Sequence, residues 1–409
     1  MRLKDTGLTP QELKDLVKTY MIETYERMDF IAESGEGIWL YDEQGRPYLD
    51  FNAGIAVNAL GNCNPKVVAA AEEQLHTLIH TFNYPYTIPQ AVLAKEICEA
   101  TGMDKLIYQN SGSEANEAMI KMARKYGIEH YGPEKYEIIT AKQSFHGRTL
   151  LAMTATGQPN SAIHKNFGQL ASGFRYAEYN NLQAFQDAVT ENTIAIMVEP
   201  VQGEGGVYPA TEEFLQGLRT LCNEKGLLLL LDEVQAGWGR CGGFMCYQTY
   251  GVQPDAVSMA KAMGGGMPIA AVAATKELAS AFTPGSHGST YAGHPVACAA
   301  SLAELREIQA LDAPKNAKLV GDYLAKRLET LPHVQEIRHR GLLIGIQLDD
   351  RVDAVEVKHK CVENYMVVSA LGGNVIRLVP PLIIRGVDAD LAVERLRKSI
   401  LEAATVCKG

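Results

Sequence analysis

The sequence predicts an α/β fold, a parallel sheet covered by helices, with one smaller α+β domain at the C-terminal end to which the N-terminal segment contributes. Two patterns predict it. Short, wholly apolar runs with polar ends recur at 193–201, 227–234, 255–260 and 268–274, as expected of strands buried on both faces. Amphipathic helical stretches lie between some of them. The length of 409 residues exceeds what one compact core usually holds, so two domains are expected.

In chain order, "IWLYDEQGRPYLDF" (38–51) reads as two short strands around "EQGRP", a hairpin. "KLIYQ" (105–109) is followed by Ser111 and Glu114 at capping-box spacing, so a helix starts there. "TIAIMVEPV" (193–201) is a buried strand. In the helix that follows, Phe214, Leu215, Leu218, Leu221 and Cys222 form one apolar stripe, and Gly226 closes it. "LLLLLDEV" (227–234), "DAVSMA" (255–260) and "PIAAVAA" (268–274) continue the sheet. "RGLLIGIQLD" (340–349) and "NVIRLVPPLII" (374–384) read as strands, and "VDADLAVERLRKSILEAA" (387–404) as an amphipathic helix. The expected division is an N-terminal segment, 1–59, that contributes to a smaller domain, a large α/β domain, 60–310, and a smaller α+β domain, 311–409.

Composition narrows the partners. A formal net charge of −10 argues against nucleic-acid binding, which needs a basic face. No apolar run is long enough to cross a membrane. Cysteines at 63, 98, 222, 241, 246, 298, 361 and 407 include no Cys-x-x-Cys pair and lack zinc-site spacing. Reduced thiols, no metal and a cytoplasmic location are therefore expected, and the N-terminus shows no secretory h-region.

Ligands of open α/β sheets bind beyond the carboxyl ends of the strands. Asp232 follows five leucines, where a carboxylate should be partly buried and needs a partner. Lys261 follows "DAVSMA" and has no polar neighbour within 259–266, an unusual setting for an ammonium. It lies 29 positions beyond Asp232, a distance that one strand–helix–strand return fits. The helix start at 111–114 offers free N–H groups and a positive dipole end, which suit a phosphate. "SFHGRTL" (144–150) adds an aromatic ring, an imidazole and an arginine, and "HGSTYAGHP" (287–295) adds hydroxyls beside glycines. Together these are the groups that pyridoxal phosphate requires: a lysine to hold it covalently, a carboxylate for its ring nitrogen, a helix N-terminus for its phosphate and a ring to stack. The glycines of "GEGG" (203–206) match a dinucleotide loop only weakly, which leaves a nicotinamide-dependent oxidoreductase as a poorer reading.

Eight motifs in one order, "AGIAVNALGNCNP", "NSGSEANEA", "FHGRTL", "EPVQGEGGV", "LLLDEVQAGWGR", "AKAMGGGMP", "HGSTYAGHP" and "NVIRLVPPL", resemble the class III pyridoxal-phosphate aminotransferases of fold type I. Within that class the sequence is most similar to the acetylornithine aminotransferases. The resemblance implies a large domain with a mostly parallel seven-stranded sheet, a smaller α+β domain, and a homodimer with shared active sites. It implies transfer of the terminal amine of N-acetylornithine to 2-oxoglutarate, as in arginine biosynthesis. Ornithine, 4-aminobutyrate or another ω-amine is the alternative donor, and an aminomutase the alternative outside that reaction class.

The resemblance also implies roles. Lys261 is similar to the cofactor-holding lysine and Asp232 to the partner of the ring nitrogen, while Glu233, Val234 and Gln235 belong to the same cofactor-binding stretch. Gly112 and Ser113 are expected at the phosphate, Thr290 at the phosphate of the other subunit, and Phe145 against the ring. Arg148 and Ser289 resemble residues that hold the acylamino acid's carboxylate, and Arg377 the arginine for the α-carboxylate of glutamate and 2-oxoglutarate. Glu204 resembles the glutamate that pairs with that arginine when a terminal amine is bound. Departures from the common pattern are "GNCNP", Ala236, Trp238 and "AGHP".

Overall fold

The computed structural model describes residues 1–158 and 161–406. Its largest sheet has seven strands, in the spatial order Lys105–Gln109, Ala270–Ala274, Ala256–Met259, Leu228–Asp232, Thr193–Val198, Glu137–Ala141 and Phe174–Ala177. Five adjacent strands, from Ala256–Met259 to Phe174–Ala177, pair in parallel. Ala270–Ala274 runs antiparallel to both neighbours, unlike the parallel strand that its apolar pattern suggests. The connection 260–269 is too short for the crossover that a parallel return needs. Every residue of Thr193–Val198 is buried, which explains the absence of polar alternation in its sequence.

The helix Glu212–Lys225 shows why the pattern is readable. The Thr211 side chain accepts the Phe214 N–H at its start, and all five expected stripe residues are buried. Gly226 ends it with φ +64, a left-handed position that glycine takes without strain. Helix Gly112–Tyr131 packs against the sheet. Its capping differs from the sequence expectation. Ser111 does accept the Glu114 N–H, but Glu114 reaches back to the N–H of Asn110 rather than of Ser111.

The return from Asp232 to Lys261 also differs. The strands that carry them are adjacent and parallel, but only a loop and the 3₁₀ turn Cys246–Tyr250 join them, with no α-helix. Trp238, Gly239 and Gly242 take positive φ, which breaks helical propagation in "AGWGRCGG".

A second, antiparallel sheet runs Val334–Arg340, Leu343–Leu348, Val375–Leu378, Ser369–Leu371. The first and the last of these strands are additional to those expected. The hairpin at 38–51 forms strands Trp39–Asp42 and Pro47–Asp50, joined by Ala32–Glu36 and, in parallel, by Met366–Val367. The N-terminal strands are thus hydrogen-bonded to the C-terminal part of the chain. Helices Ala313–Leu328, Ala354–Glu363 and Gly386–Val406 complete this part. Among the described residues no helix is long and apolar enough to cross a membrane. Seven cysteines are free, and Cys407 lies outside the described residues.

Candidate active site

The parallel strands deliver their following residues to one cavity of about 410 Å³. Asn110, Glu199, Asp232 and Lys261 each stand at or just beyond a strand's carboxyl end, and all four line it. Gly112, Ser113, Phe145, His146, Glu204, Val234 and Gln235 join them. Chain direction alone thus assembles residues far apart in sequence.

Asp232 is held from three sides. Its Oδ2 accepts Asn116 Nδ2–H and His146 Nδ1–H, both at 2.7 Å, and its Oδ1 accepts the Val234 N–H at 3.0 Å. Asn116 is fixed in turn by Ser258 Oγ–H, which donates to its Oδ1 at 2.6 Å, and Ser258 pairs with Asp232 across the sheet. A carboxylate offers about four lone-pair sites, so Asp232 keeps room for one more donor at the cavity. Burial disfavours the His146 imidazolium, but the Asp232 carboxylate outweighs this and raises the His146 pKa.

Lys261 has φ +47, a left-handed backbone that is strained for a lysine. Burial pushes its ammonium down to about 8, against the opposing pull of the Glu204 carboxylate. An amine of this kind is a nucleophile near neutral pH. Glu204 is also pushed up by burial, but Arg377 and Lys261 hold it down at about 2. Arg377, itself buried, donates through Nη1 to Glu204 Oε1 at 2.5 Å, Gln235 Oε1 at 3.2 Å and the Gly203 carbonyl at 3.3 Å.

Helix Gly112–Tyr131 points its first turn at the cavity. The amides of Gly112 and Ser113 have no acceptor within the helix, so they can serve an anion. A Cβ at Gly112 would lie 2.7 Å from Val234 Cγ1, so only glycine lets the helix start come this close. Phe145 and Val234 supply apolar walls.

Four of the expected residues are placed elsewhere. Arg148 is exposed, with its guanidinium 5.7 Å from the Phe145 ring centre. Ser289 and Thr290 line a separate surface groove with Phe82, Tyr84 and His287. Ser289 touches the cavity only through its hydroxyl, which accepts Asn110 Nδ2–H at 3.0 Å. Glu233 is not at the cavity at all. Its two oxygens accept the N–H groups of Cys246 and Tyr247, each at 2.6 Å, and burial pushes it up to about 8. It ties down the loop that takes the place of a crossover helix. Side chains alternate along a strand, so Asp232 and Glu233 leave on opposite sides.

Sequence reasoning passed over Asn116, Ser258 and Glu199. Glu199 follows an apolar strand just as Asp232 does, so the same rule finds it. It accepts the N–H of Phe145 at 2.9 Å and of Gly203 at 3.1 Å, and burial pushes it up to about 7. Among the described residues no group of three or more His, Cys, Asp or Glu side chains is placed to hold a metal ion.

A nucleophilic lysine, an anion cradle and a carboxylate with a free acceptor site suit chemistry on an amine through a phosphorylated cofactor. Comparison with known proteins agrees. The profile of the family Aminotransferase class-III matches residues 20–400. The chain belongs to the class-III aminotransferases. It is 45% identical over 383 residues to the acetylornithine aminotransferase of Caldanaerobacter subterraneus subsp. tengcongensis, covering 93% of this chain and 96% of that one. It is 41% identical over 392 residues to that of Methanocaldococcus jannaschii, covering 95% and 98%. Among solved structures, the ornithine aminotransferase of Toxoplasma gondii ME49 superposes with a TM-score of 0.94 at 30% identity, covering 98% of each chain. The aminotransferase thus shares its fold with enzymes named for both substrates.

Proposed function

We propose that this aminotransferase moves the terminal amine of N-acetylornithine to 2-oxoglutarate, using pyridoxal 5′-phosphate bound in the cavity at Lys261. The donor set fits that cofactor: a lysine amine, two unpaired helix amides, apolar walls at Phe145 and Val234, and one acceptor site left on Asp232. When bound, the cofactor supplies an aldehyde carbon for the amine and an electron-withdrawing ring for the developing carbanion.

The chain's own residues do the rest. Lys261 Nζ would hold the cofactor and, when freed by substrate, would be the base that moves the proton of the substrate carbon. Its low pKa keeps part of the amine free to do this. Asp232, oriented by Asn116 and His146, keeps the ring nitrogen protonated. Gly112 and Ser113 bind the phosphate, and Phe145 packs on the ring. Arg377 receives the α-carboxylate of glutamate or 2-oxoglutarate, and Glu204 neutralises Arg377 when a terminal amine occupies the site. Arg148 and Ser289 take the carboxylate end of the acylated donor.

The observation that carries the reading is the Glu204–Arg377 pair at 2.5 Å beside Lys261, with its guanidinium buried and its carboxylate part-exposed. A guanidinium that is either paired internally or free for a carboxylate suits two substrates of different charge in one site. Thr290 is exposed and away from the cavity of its own chain, beside exposed Phe82 and Tyr84, which supports a homodimer in which it serves the partner's phosphate.

The test is a donor panel with 2-oxoglutarate. N-acetylornithine should give a higher kcat/KM than ornithine, and ornithine a higher one than 4-aminobutyrate. Acetylation removes the α-ammonium, a second cation that is unfavourable near Arg148. A charge-assisted bond contributes about 1.5–3 kcal/mol, so Arg148→Ala should raise KM for N-acetylornithine about tenfold or more. A preference of the wild type for 4-aminobutyrate would replace this reading with an ω-amine transaminase.

A further inference from the structure

The segment that carries Glu204 is the tip of a hairpin. Strands Val201–Gln202 and Tyr208–Pro209 pair antiparallel, and residues 203–207 close the turn. Its backbone is strained at Val207, where φ is +57. A β-branched residue at positive φ persists only where its surroundings over-determine it.

Those surroundings come from the second sheet. Arg338 pairs across the strands with Gly345, and Gly345 with Arg377. Direct cross-strand partners share a face, so the three residues form one row beneath the tip. Arg338 grips its far end. Its Nε and Nη2 both donate to the Gly206 carbonyl, at 3.1 and 3.0 Å, and its guanidinium lies 4.2 Å from the centre of the Tyr208 ring. Gly345 makes the seat. A Cβ there would stand 2.8 Å from Val207 Cβ and 3.0 Å from the Gly206 oxygen. Arg377 holds the near end through the Gly203 carbonyl and Glu204.

We propose that Arg338 and Gly345 are positioning residues that seat the 203–207 tip, and so set how firmly Glu204 holds Arg377 against an incoming substrate carboxylate. The inference rests on the reading that Arg377 serves the dicarboxylate partner. For that carboxylate to bind, Glu204 must leave Arg377, and the tip that carries Glu204 must give. A firmly seated tip disfavours the exchange and keeps Arg377 neutralised for the amine donor. A loosened tip has the reverse effect on both.

The experiment uses holoenzyme of Arg338→Gln, Arg338→Lys and Gly345→Ala. KM and kcat are measured separately for N-acetylornithine and 2-oxoglutarate, together with hydrogen exchange of peptides spanning 203–207. Loss of the two-pronged charge-assisted contact should change the ratio of donor KM to acceptor KM by about tenfold, upward, with kcat altered about twofold or less. Exchange across 203–207 should quicken about tenfold. Gly345→Ala should act in the same direction, and Arg338→Lys, which keeps the charge without the fork, should fall between Gln and wild type. An unchanged KM ratio, or both KM values rising together with a loss of overall stability, overturns the proposal, as does a changed ratio without faster exchange at the tip. If Arg338→Gln does not fold, the other two variants decide. Arg377→Ala separates the two levels. If it spares 2-oxoglutarate, the underlying reading of the site fails. If it abolishes use of 2-oxoglutarate while the clamp variants leave the ratio unmoved, only the clamp fails.

Discussion

Replacing Asp232 by asparagine tests the electrostatic centre of the site, and the structure sets the size of the effect. Oδ2 of Asp232 receives two N–H donors at 2.7 Å, and Oδ1 receives one at 3.0 Å. Asparagine has one oxygen and one amino group, so one side must now point a donor at a donor. The cheaper arrangement leaves the oxygen with Asn116 and His146 and turns the amino group to the Val234 N–H. Stranding that backbone donor costs about 1–3 kcal/mol. The same rotation replaces the acceptor that faces the cavity with an N–H, so a protonated ring nitrogen loses its partner. Urea denaturation of the cofactor-free variant should therefore show a loss of about 1–3 kcal/mol. Cofactor should still be retained through Gly112 and Ser113. Turnover should fall about a hundredfold or more, the scale expected when one preorganised electrostatic partner is removed. Near-normal turnover in a variant that has kept its cofactor refutes the role assigned to Asp232.

Three further outcomes follow from the same geometry. In the cofactor-free protein, capture of pyridoxal phosphate by Lys261 should rise with pH about a midpoint near 8, and Glu204→Gln should lower that midpoint, because the carboxylate supports the ammonium; a midpoint at the ordinary lysine value of 10.5 contradicts the burial argument. The His146 pKa is raised above its ordinary 6.5, so its bond to Asp232 contributes stability that is complete below pH 6.5 and is lost as pH rises through the folded-state value. The difference in unfolding free energy between wild type and His146→Gln should shrink accordingly, and a pH-independent difference excludes it. Glu233→Gln should cost about 1–3 kcal/mol in stability, by placing an amino group against the N–H of Cys246 or Tyr247, and should leave both substrate KM values near wild type; altered KM values with unchanged stability would return Glu233 to the site.

What was legible in the sequence follows from chain direction. Buried parallel strands have uniform apolar runs, and their carboxyl ends share one edge, so the sequence alone brings Asp232, Lys261 and the helix start after Gln109 together. The return between Asp232 and Lys261 was not legible, because sequence distance does not distinguish a helix from a loop tied down by a buried carboxylate. Glu233 is illegible for the same reason, as the two N–H donors to its carboxylate lie thirteen and fourteen positions downstream. Arg338 was hidden more deeply. In "EIRHR" charged residues alternate with others, which reads as a solvated strand face, yet Arg338 is only 7% exposed. Its burial comes from a hairpin more than a hundred residues earlier in the chain, and no local pattern records that contact.

The two glutamates that face the cavity explain why one of them is suited to exchange partners and the other is not. Both are pushed up by burial, but Glu204 is brought down to about 2 by Arg377, whereas Glu199 stays near 7 with backbone donors and the repelling charge of Asp232. Glu199 is 5% exposed and holds two backbone N–H groups, so moving it would strand both donors in a buried setting. The Glu204 side chain is 29% exposed while paired to a guanidinium that is almost wholly enclosed. On the proposed reading, a substrate carboxylate that takes Arg377 would let Glu204 turn toward solvent and recover hydration, while the guanidinium would pass from one carboxylate to another without being left unpaired. The exchange therefore avoids the large cost of an isolated buried charge on either side. What remains to be overcome is the hold of the backbone on the tip, and that hold lies in the row Arg338–Gly345–Arg377.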